Sequence, residues 1–191
     1  MKDLSTHILE ALEELYHFTN YANLMSILSS DTLRGSDEVC SDGTDPKFIS
    51  LTRSKTSLTG YPHGMTDDKV IRIVLDGRKL QSRYKITPYD YFGSRGSSSK
   101  TLSTKTSWSD PGQFDLDADT TYRNPNVEAE DRIFLNAGVK GISDISSYIR
   151  EIQVKDGDFT RDQIRDLNSI CNKRGIDMKI LSPRRFEIGR G

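Results

Sequence analysis

The sequence predicts a single α+β domain, and two observations support this fold class. Apolar residues recur at helical spacing near both ends of the chain, within residues 5–14 and again between Thr160 and Lys173. Between these ends lie runs rich in β-branched residues, such as "KVIRIVLDG" and "YIREIQVKDGD", which are typical of strands. Helices at the ends with strands clustered between them favour an α+β domain over a doubly wound parallel sheet. The length of 191 residues fits one domain of ordinary size.

The first elements follow residues 5–14, which are predicted to be helical. The stretch "LYHFT" predicts a short strand, and Thr19 or Asn20 at its end can cap a second helix. Two strands are predicted next, in "KFISLTRS" and in "KVIRIVLDG", the second of which ends in the turn pair Asp76-Gly77. Later strands are predicted in "EDRIFLN" and "YIREIQVKDGD". A capping box, Thr-x-x-Gln, begins the last helix, and "DMKIL" predicts a final strand.

The strand "LYHFT" has two chemically different faces. Side chains alternate along a strand, so Tyr16 and Phe18 share one face while Leu15, His17 and Thr19 share the other. The aromatic face suits a hydrophobic core. The His/Thr face suits a cleft that holds a polar ligand.

Charge and cysteine content narrow the setting of the protein. A net charge of −1 supplies no general basic field, so nucleic-acid binding would have to use a local patch. The two cysteines, Cys40 and Cys171, form no C-x-x-C pair, which argues against a zinc site or a disulfide scaffold and fits a reducing cytosol. No apolar run approaches membrane-spanning length, and the first residues lack the order of a signal peptide. We therefore predict a soluble, cytoplasmic monomer.

Several common chemistries have no motif in this chain. Neither a G-x-x-x-x-G-K-[ST] loop nor G-x-G-x-x-G occurs, and neither H-E-x-x-H nor a G-x-S-x-G elbow is present. Three histidines at positions 7, 17 and 63 make a poor metal set, so no metal is predicted. Any chemistry must therefore use carboxylates, hydroxyls, an arginine and one histidine.

The strongest carboxylate pair lies in "NVEAEDRIF". On a strand, Glu128 and Glu130 share a face with Arg132, while Ala129 lies on the opposite face. Two carboxylates on one face raise each other's pKa unless a cation such as Arg132 or a ligand lies between them. The alternative is a solvated edge strand whose charges prevent pairing with other sheets. Spacing by itself favours that alternative.

Residues 93–126 form a long polar segment with almost no aliphatic side chains. So long a loop within a compact domain is either functional or disordered. Arg95, Lys100 and Lys105 precede its acidic residues, and the only tryptophan of the chain lies between these two groups. The basic half could follow a phosphate backbone, and the tryptophan could stack on an exposed base. The candidate nucleic-acid-binding residues of the loop are Arg95, Lys100, Lys105 and Trp108, which the resemblance described below implies to be acceptor-binding.

Three blocks of the chain together resemble one enzyme superfamily. "LYHFTNYANLMSIL", then "FISLTRS" and later "EAEDRIF" are similar to motifs of the ADP-ribosyltransferase superfamily. The resemblance is closest to the His-type branch, which includes the DNA-targeting ADP-ribosyltransferase toxins and related phage and bacterial proteins. It implies an ADP-ribosyltransferase-like fold, with split, antiparallel-rich sheets around an NAD cleft and flanking helices. The single domain would span residues 1–191, with the polar loop as an insertion and a helix-strand extension from about residue 155.

The resemblance also implies catalytic roles for three residues. NAD⁺ cleavage at the nicotinamide–ribose bond passes through an oxocarbenium-like transition state, as in glycoside hydrolysis. Glu130 would stabilise that cation and hold or deprotonate the acceptor. Glu128 would orient the acceptor, and Arg53 would neutralise the pyrophosphate or fix the NAD⁺ conformation. Without the resemblance, Arg53 is equally well read as a surface ion-pair residue.

A further set of residues is implied to bind NAD⁺, the co-substrate. These residues are His17, Thr19, Asn23, Ser50, Thr52 and Tyr61. His17 would hydrogen-bond the adenosine-side ribose, and Ser50 and Thr52 would line the cleft from the face opposite Ile49 and Leu51. Tyr61 stacks on nicotinamide or closes a turn in "GYPHG", and Tyr84 is the other candidate for the aromatic residue of the family motif.

The acceptor stays open among several classes. DNA or RNA is favoured by the nearest similar proteins and by the basic half of the loop, whereas Glu128 in an E-x-E pattern fits a protein acceptor. An RNA 2′-phosphotransferase of the same fold is a second enzymatic alternative. A catalytically inactive binding module of the same fold is the alternative from a different class.

Overall fold

The computed structural model describes residues 13–35, 48–52, 70–89, 130–136 and 138–188, and all structural statements below concern these ranges. The strands are β1 Glu14–Thr19, β2 Thr32–Arg34, β3 Phe48–Leu51, β4 Ile71–Asp76, β5 Ile86–Tyr89, β6 Glu130–Phe134, β7 Gly141–Ser143, β8 Ile149–Lys155 and β9 Asp177–Leu181. The α-helices are α1 Tyr21–Ser30, α2 Gly77–Gln81, α3 Arg161–Arg174 and α4 Pro183–Ile188. A 3-10 turn, Ile145–Tyr148, precedes β8.

The described strands form two main sheets, which are joined by backbone hydrogen bonds between β1 and the end of β3. One sheet has the order β1-β4-β8-β9, the other has the order β3-β6-β5, and β2 pairs separately with β7. Tyr16 of β1 and Thr52, just after β3, exchange two backbone hydrogen bonds of 2.8 and 2.9 Å. All of the strand pairs that the structure describes are antiparallel except β8 and β9. The predicted α+β class with split, antiparallel-rich sheets is confirmed.

The aliphatic core lies on the side of the first sheet that α1 and α3 cover. Helix α1 buries Leu24, Ile27 and Leu28, which are the apolar positions at helical spacing. They pack in one cluster with the inward residues of β4, such as Ile73. Asn20 is the N-cap, because its side chain accepts a hydrogen bond from the backbone N–H of residue 23.

Helix α3 connects the only parallel pair in the described sheets, β8 and β9. Its predicted capping box is present, since the Thr160 hydroxyl accepts from the Gln163 N–H and the Gln163 side chain accepts from the Thr160 N–H. Leu167 and Cys171 are buried on the inner face of the helix. Burial raises the pKa of the Cys171 thiol to about 11. Strand β9 thus extends the first sheet through a β–α–β connection, whose helix is long enough to join two parallel strands.

Asp31 links the end of α1 to two other elements. Its backbone is left-handed, with φ at 50°, and its carboxylate accepts from the Ser146 N–H at 2.9 Å and from the Ser146 hydroxyl. Arg174 of α3 donates to the other carboxylate oxygen at 2.9 Å. Burial raises the pKa of Asp31, but the Ser146 hydrogen bonds and the Arg174 charge outweigh it and lower the pKa below its ordinary value.

The β2–β7 pair depends on a glycine. A Cβ atom on Gly141 would lie 2.4 Å from the Leu33 carbonyl oxygen and 2.9 Å from the Arg34 Cα. Both contacts are closer than atoms can approach without a shift of the backbone. The two strands therefore fit together only because residue 141 has no side chain.

Two local predictions differ from the structure. Asp76 and Gly77 do not form a simple turn, because Asp76 caps the short helix α2 by accepting from the Lys79 N–H at 3.0 Å. Glu14, the last residue of the first predicted helix, belongs to β1, and residues 5–12 lie outside the described ranges. No helix of the described residues is long and apolar enough to span a membrane.

Candidate functional site

His17 lies where the two sheets meet. Its Nδ1 atom is 3.0 Å from the carbonyl oxygen of Ser50 in β3. A carbonyl oxygen only accepts hydrogen bonds, so Nδ1 is the donor and carries the proton. In the neutral ring the lone pair is then on Nε2, which makes that atom a hydrogen-bond acceptor.

The Ser50 carbonyl points toward β1 for a simple geometric reason. Successive residues of a strand direct their backbone groups to opposite edges, and Thr52 directs its groups to Tyr16 of β1. Ser50, two residues away, therefore also faces the β1 edge. Among the described residues, Tyr16 and Thr52 form an isolated pair between β1 and β3, so the His17 ring supplies the donor that a further backbone hydrogen bond to Ser50 would have given.

The two faces of β1 do not divide as the sequence predicted. His17 pairs with Ile73 of β4, and Leu15 pairs with Leu75, so the His/Thr face is the one that meets the aliphatic core. Thr19, on the same face, is only 3% exposed. The interpretation of this face as an open cleft is wrong for Leu15 and Thr19, because the α1 side of the sheet is filled by aliphatic side chains.

The opposite face of β1 is buried against a polar network that the sequence analysis missed. Tyr16 is 3% exposed, and its hydroxyl donates to the Glu14 carboxylate at 2.5 Å. Burial, followed by this hydrogen bond and the Glu14 charge, raises the pKa of Tyr16 far above its ordinary value. Arg72 of β4 lies with its guanidinium carbon 5.7 Å from the centre of the Tyr16 ring. The aromatic face therefore packs on a buried cation and not on the aliphatic core.

Arg72 itself is 2% exposed and connects three elements. Its Nε donates to the Gln153 side chain of β8 at 2.6 Å, and its Nη1 donates to the Phe186 carbonyl of α4 at 3.1 Å. Its guanidinium also lies 5.0 Å from the centre of the Phe186 ring. Burial lowers the pKa of Arg72, and the nearby Tyr16 and carboxylates oppose that shift.

Ser50 and Thr52 lie beside the strand that carries Glu130. Ser50 pairs with Arg132 and Leu51 pairs with Asp131, so one further step of this register brings Thr52 opposite Glu130. Glu130 is the first residue of β6 and pairs with Tyr89 on the other side. Adjacent strands lie about 4.8 Å apart, so the backbones of β1 and β6 are about 10 Å apart at this point.

Arg132 has the position that the sequence predicted but not the exposure expected of an edge-strand charge. It is 4% exposed, and its guanidinium carbon lies 3.9 Å from the centre of the Phe48 ring. Asp131, which alternates with it on the other face, is fully buried. Asp131 and Arg132 therefore do not form a solvated edge, since β6 lies between β3 and β5.

The remaining candidates divide by location. Asn23 is exposed in the first turn of α1, and its backbone N–H donates to the Asn20 side chain at 2.9 Å. Tyr84, in the segment that follows α2, packs against Tyr148 of the 3-10 turn with ring centres 6.2 Å apart. Candidates that lie outside the described residues are Arg53, Tyr61, Arg95, Lys100, Lys105, Trp108 and Glu128. Among the described residues, no group of three His, Cys, Asp or Glu side chains is placed to hold a metal ion.

Comparison with solved structures finds DarT of Thermus sp. 2.9. The DarT complex with NAD⁺ matches with a TM-score of 0.50 at 10% identity, over 89% of this chain and 96% of DarT. The complex with ADP-ribosylated ssDNA gives a TM-score of 0.49 at 11% identity, over 89% of this chain and 94% of DarT. The chain has the DarT fold. No protein-family model and no curated protein matches it.

The DarT fold confirms the resemblance on which the sequence analysis relied. The three blocks of that resemblance fall on β1 with α1, on β3 and on β6. Strands β3 and β6 are neighbours in one sheet, and β1 meets β3 at the Tyr16–Thr52 pair. Motifs that are far apart in the sequence are therefore side by side in the fold.

Proposed function

We propose that this protein is a mono-ADP-ribosyltransferase that transfers ADP-ribose from NAD⁺ to a nucleic acid, DNA or RNA. The observation that carries the proposal is the meeting of β1, β3 and β6, which brings His17, Ser50 and Glu130 onto adjacent strands. The same fold occurs in a DarT structure that contains NAD⁺.

His17 is suited to bind a ribose. Its hydrogen bond to the Ser50 carbonyl fixes the ring orientation and the tautomer, so that Nε2 of the neutral ring accepts from a ribose hydroxyl. A ring held in advance loses little conformational freedom when the ligand binds. We assign Thr19 and Asn23 weaker roles, because Thr19 is almost fully buried and Asn23 lies on the exposed side of the first helical turn.

Glu130 is proposed to act on the glycosidic bond. NAD⁺ supplies a ribose whose bond to nicotinamide breaks with the development of positive charge on the sugar. A carboxylate at residue 130 would stabilise that charge and accept the proton of the incoming nucleophile. Ser50 and Thr52 would hydrogen-bond the same ligand, because they lie on the strand next to β6.

Three other residues complete the proposed chemistry. Arg53, which directly follows Thr52, would pair with the pyrophosphate. Glu128 would orient the acceptor, and Tyr61 would stack on the nicotinamide ring. In the polar loop, Arg95, Lys100, Lys105 and Trp108 would contact the acceptor, since this loop leads into β6.

The proposal is tested by incubating the protein with labelled NAD⁺ and separate pools of DNA, RNA and protein. Label in the DNA or RNA pool supports the proposal and identifies the acceptor. Label in the protein pool would replace it with a protein-directed transferase. A protein that neither binds NAD⁺ nor labels any pool would be a catalytically inactive binding module.

A further inference from the structure

Helix α4 is attached to one side of the first sheet by a buried residue. Phe186 is 2% exposed, and its ring packs edge-on against that of Phe18 in β1 with centres 6.4 Å apart. Its carbonyl accepts the hydrogen bond from Arg72. The helix therefore lies on the Tyr16 and Phe18 side of the sheet, opposite the aliphatic core.

The same helix presents two arginines to solvent. Arg184 and Arg185 are exposed, and neither forms a hydrogen bond or ion pair with any other described residue. Other cations of the region are neutralised, since Lys179 binds Glu151 and Arg150 lies 3.3 Å from Asp76. Two adjacent guanidinium groups without an ion-pair partner among the described residues form a local positive surface on a chain whose net charge is −1.

Strand register places this surface on the same side of the joined sheets as the side chains of Ser50 and Thr52. Tyr16 lies directly opposite Thr52, so their side chains share one side of the joined sheets. Ser50 is two residues from Thr52 and therefore on that side, and Arg132 lies opposite Ser50. Helix α4 thus flanks the face of the joined sheets that carries the side chains of Ser50 and Thr52, which are proposed to bind NAD⁺.

We propose that α4 is a docking element for the phosphodiester backbone of the acceptor, with Arg184 and Arg185 as its phosphate contacts. This inference rests on the proposed function, in which the acceptor is a nucleic acid. Guanidinium groups bind phosphate oxygens through two parallel hydrogen bonds, which makes arginine suitable for this contact. The anchoring of Phe186 by Arg72 holds the helix in place, so little further ordering is needed when the acceptor binds.

The test compares two double variants that remove the same charge. Arg184→Ala/Arg185→Ala removes the α4 pair, and Arg161→Ala/Lys173→Ala removes two exposed cations of α3, on the core side of the sheet. Binding to single-stranded DNA and to single-stranded RNA is measured by fluorescence anisotropy over a range of salt concentrations. Each phosphate contact to a single strand contributes about 0.7 to the slope of log K against log salt, so we expect the α4 variant to lose about 1.4 and the control to lose nothing.

A second variant and the transfer assay complete the design. Arg184→Glu/Arg185→Glu is expected to weaken binding further than the alanine pair, because it adds repulsion to the loss of contacts. Equal slopes for the α4 variant, the α3 control and the wild type would overturn the docking role. If the wild type binds nucleic acid with the expected α4 dependence but transfers no label from NAD⁺, docking stands and the transferase function fails.

Discussion

Replacement of Arg72 by methionine tests whether the buried cation holds the first sheet and α4 together. The guanidinium donates to Gln153 at 2.6 Å and to the Phe186 carbonyl at 3.1 Å, and it lies against two aromatic rings. Methionine fills a similar volume, but it leaves both acceptors without this donor. A buried acceptor without its hydrogen bond costs about 1–3 kcal/mol. The variant also has no buried charge to desolvate, and this difference offsets part of the loss in stability.

We therefore expect Arg72→Met to lower the free energy of unfolding by about 2–4 kcal/mol. For a chain of this length such a loss corresponds to a fall in Tm of about 4–16 °C. Urea unfolding followed by circular dichroism measures the free energy directly. The Tm from a thermal scan provides an independent value.

Arg165→Met is the matched control, because it makes the same substitution on a surface ion pair. The Arg165 side chain is 72% exposed and bonds Asp162 at 2.9 Å, an arrangement worth about 0–1 kcal/mol. The reasoning about Arg72 fails if its variant is no less stable than the Arg165 variant.

Three further predictions concern other parts of the fold. Gly141→Ala should lower stability in urea by about 1–3 kcal/mol, since its Cβ would lie 2.4 Å from the Leu33 carbonyl oxygen; wild-type stability would show that β2 and β7 can move apart freely. Asp31→Asn removes the charge with a residue that also tolerates the left-handed backbone. Because folding lowers the pKa of Asp31, the wild type alone should lose the stabilisation by its ionised carboxylate as the pH falls below about 4. Parallel profiles of stability against pH for the two proteins would contradict this. His17→Ala should weaken NAD⁺ binding about tenfold or more in a titration while the hydrogen bond lost to the protein costs only about 0.5–1.5 kcal/mol; unchanged affinity with a large fall in Tm would make His17 structural.

Local chemistry was sufficient to predict the elements with strong end signals. Asn20 is a polar residue between a strand and an amphipathic run, and it is the N-cap of α1. Thr160 and Gln163 form the capping box that starts α3. Such signals act within a few residues, so no knowledge of the rest of the fold was required.

Contacts between distant segments could not be predicted in the same way. The polarity of His17 and Thr19 indicated a cleft face, but the register with Ile71 and Ile73 directs that face toward the core. Arg72 lies between these two aliphatic residues in the sequence, so strand alternation predicts that its side chain is on the opposite face of β4. Nothing in its own neighbourhood indicates that a helix more than a hundred residues later covers it, because that contact depends on the whole sheet.

The short elements were missed for a related reason. Strands β2 and β7 have three residues each, and α4 has six, so none of them is long enough to show a period. Asp76 and Gly77 are typical of a turn, but Asp is equally a helix N-cap. Asp76 is a helix N-cap here because the residues after it, Gly77–Gln81, form a helix.

The central claim is that this fold transfers ADP-ribose with Glu130 as the catalytic carboxylate. The most direct measurement is the rate at which Glu130→Gln transfers labelled ADP-ribose from NAD⁺ to the nucleic-acid pool that the wild type modifies. Glutamine keeps the shape of the side chain and removes its charge, so the rate should fall by a factor on the order of a hundred or more while NAD⁺ binding is largely retained. A variant that transfers at nearly the wild-type rate would contradict the account, because the chemistry would then not depend on this carboxylate.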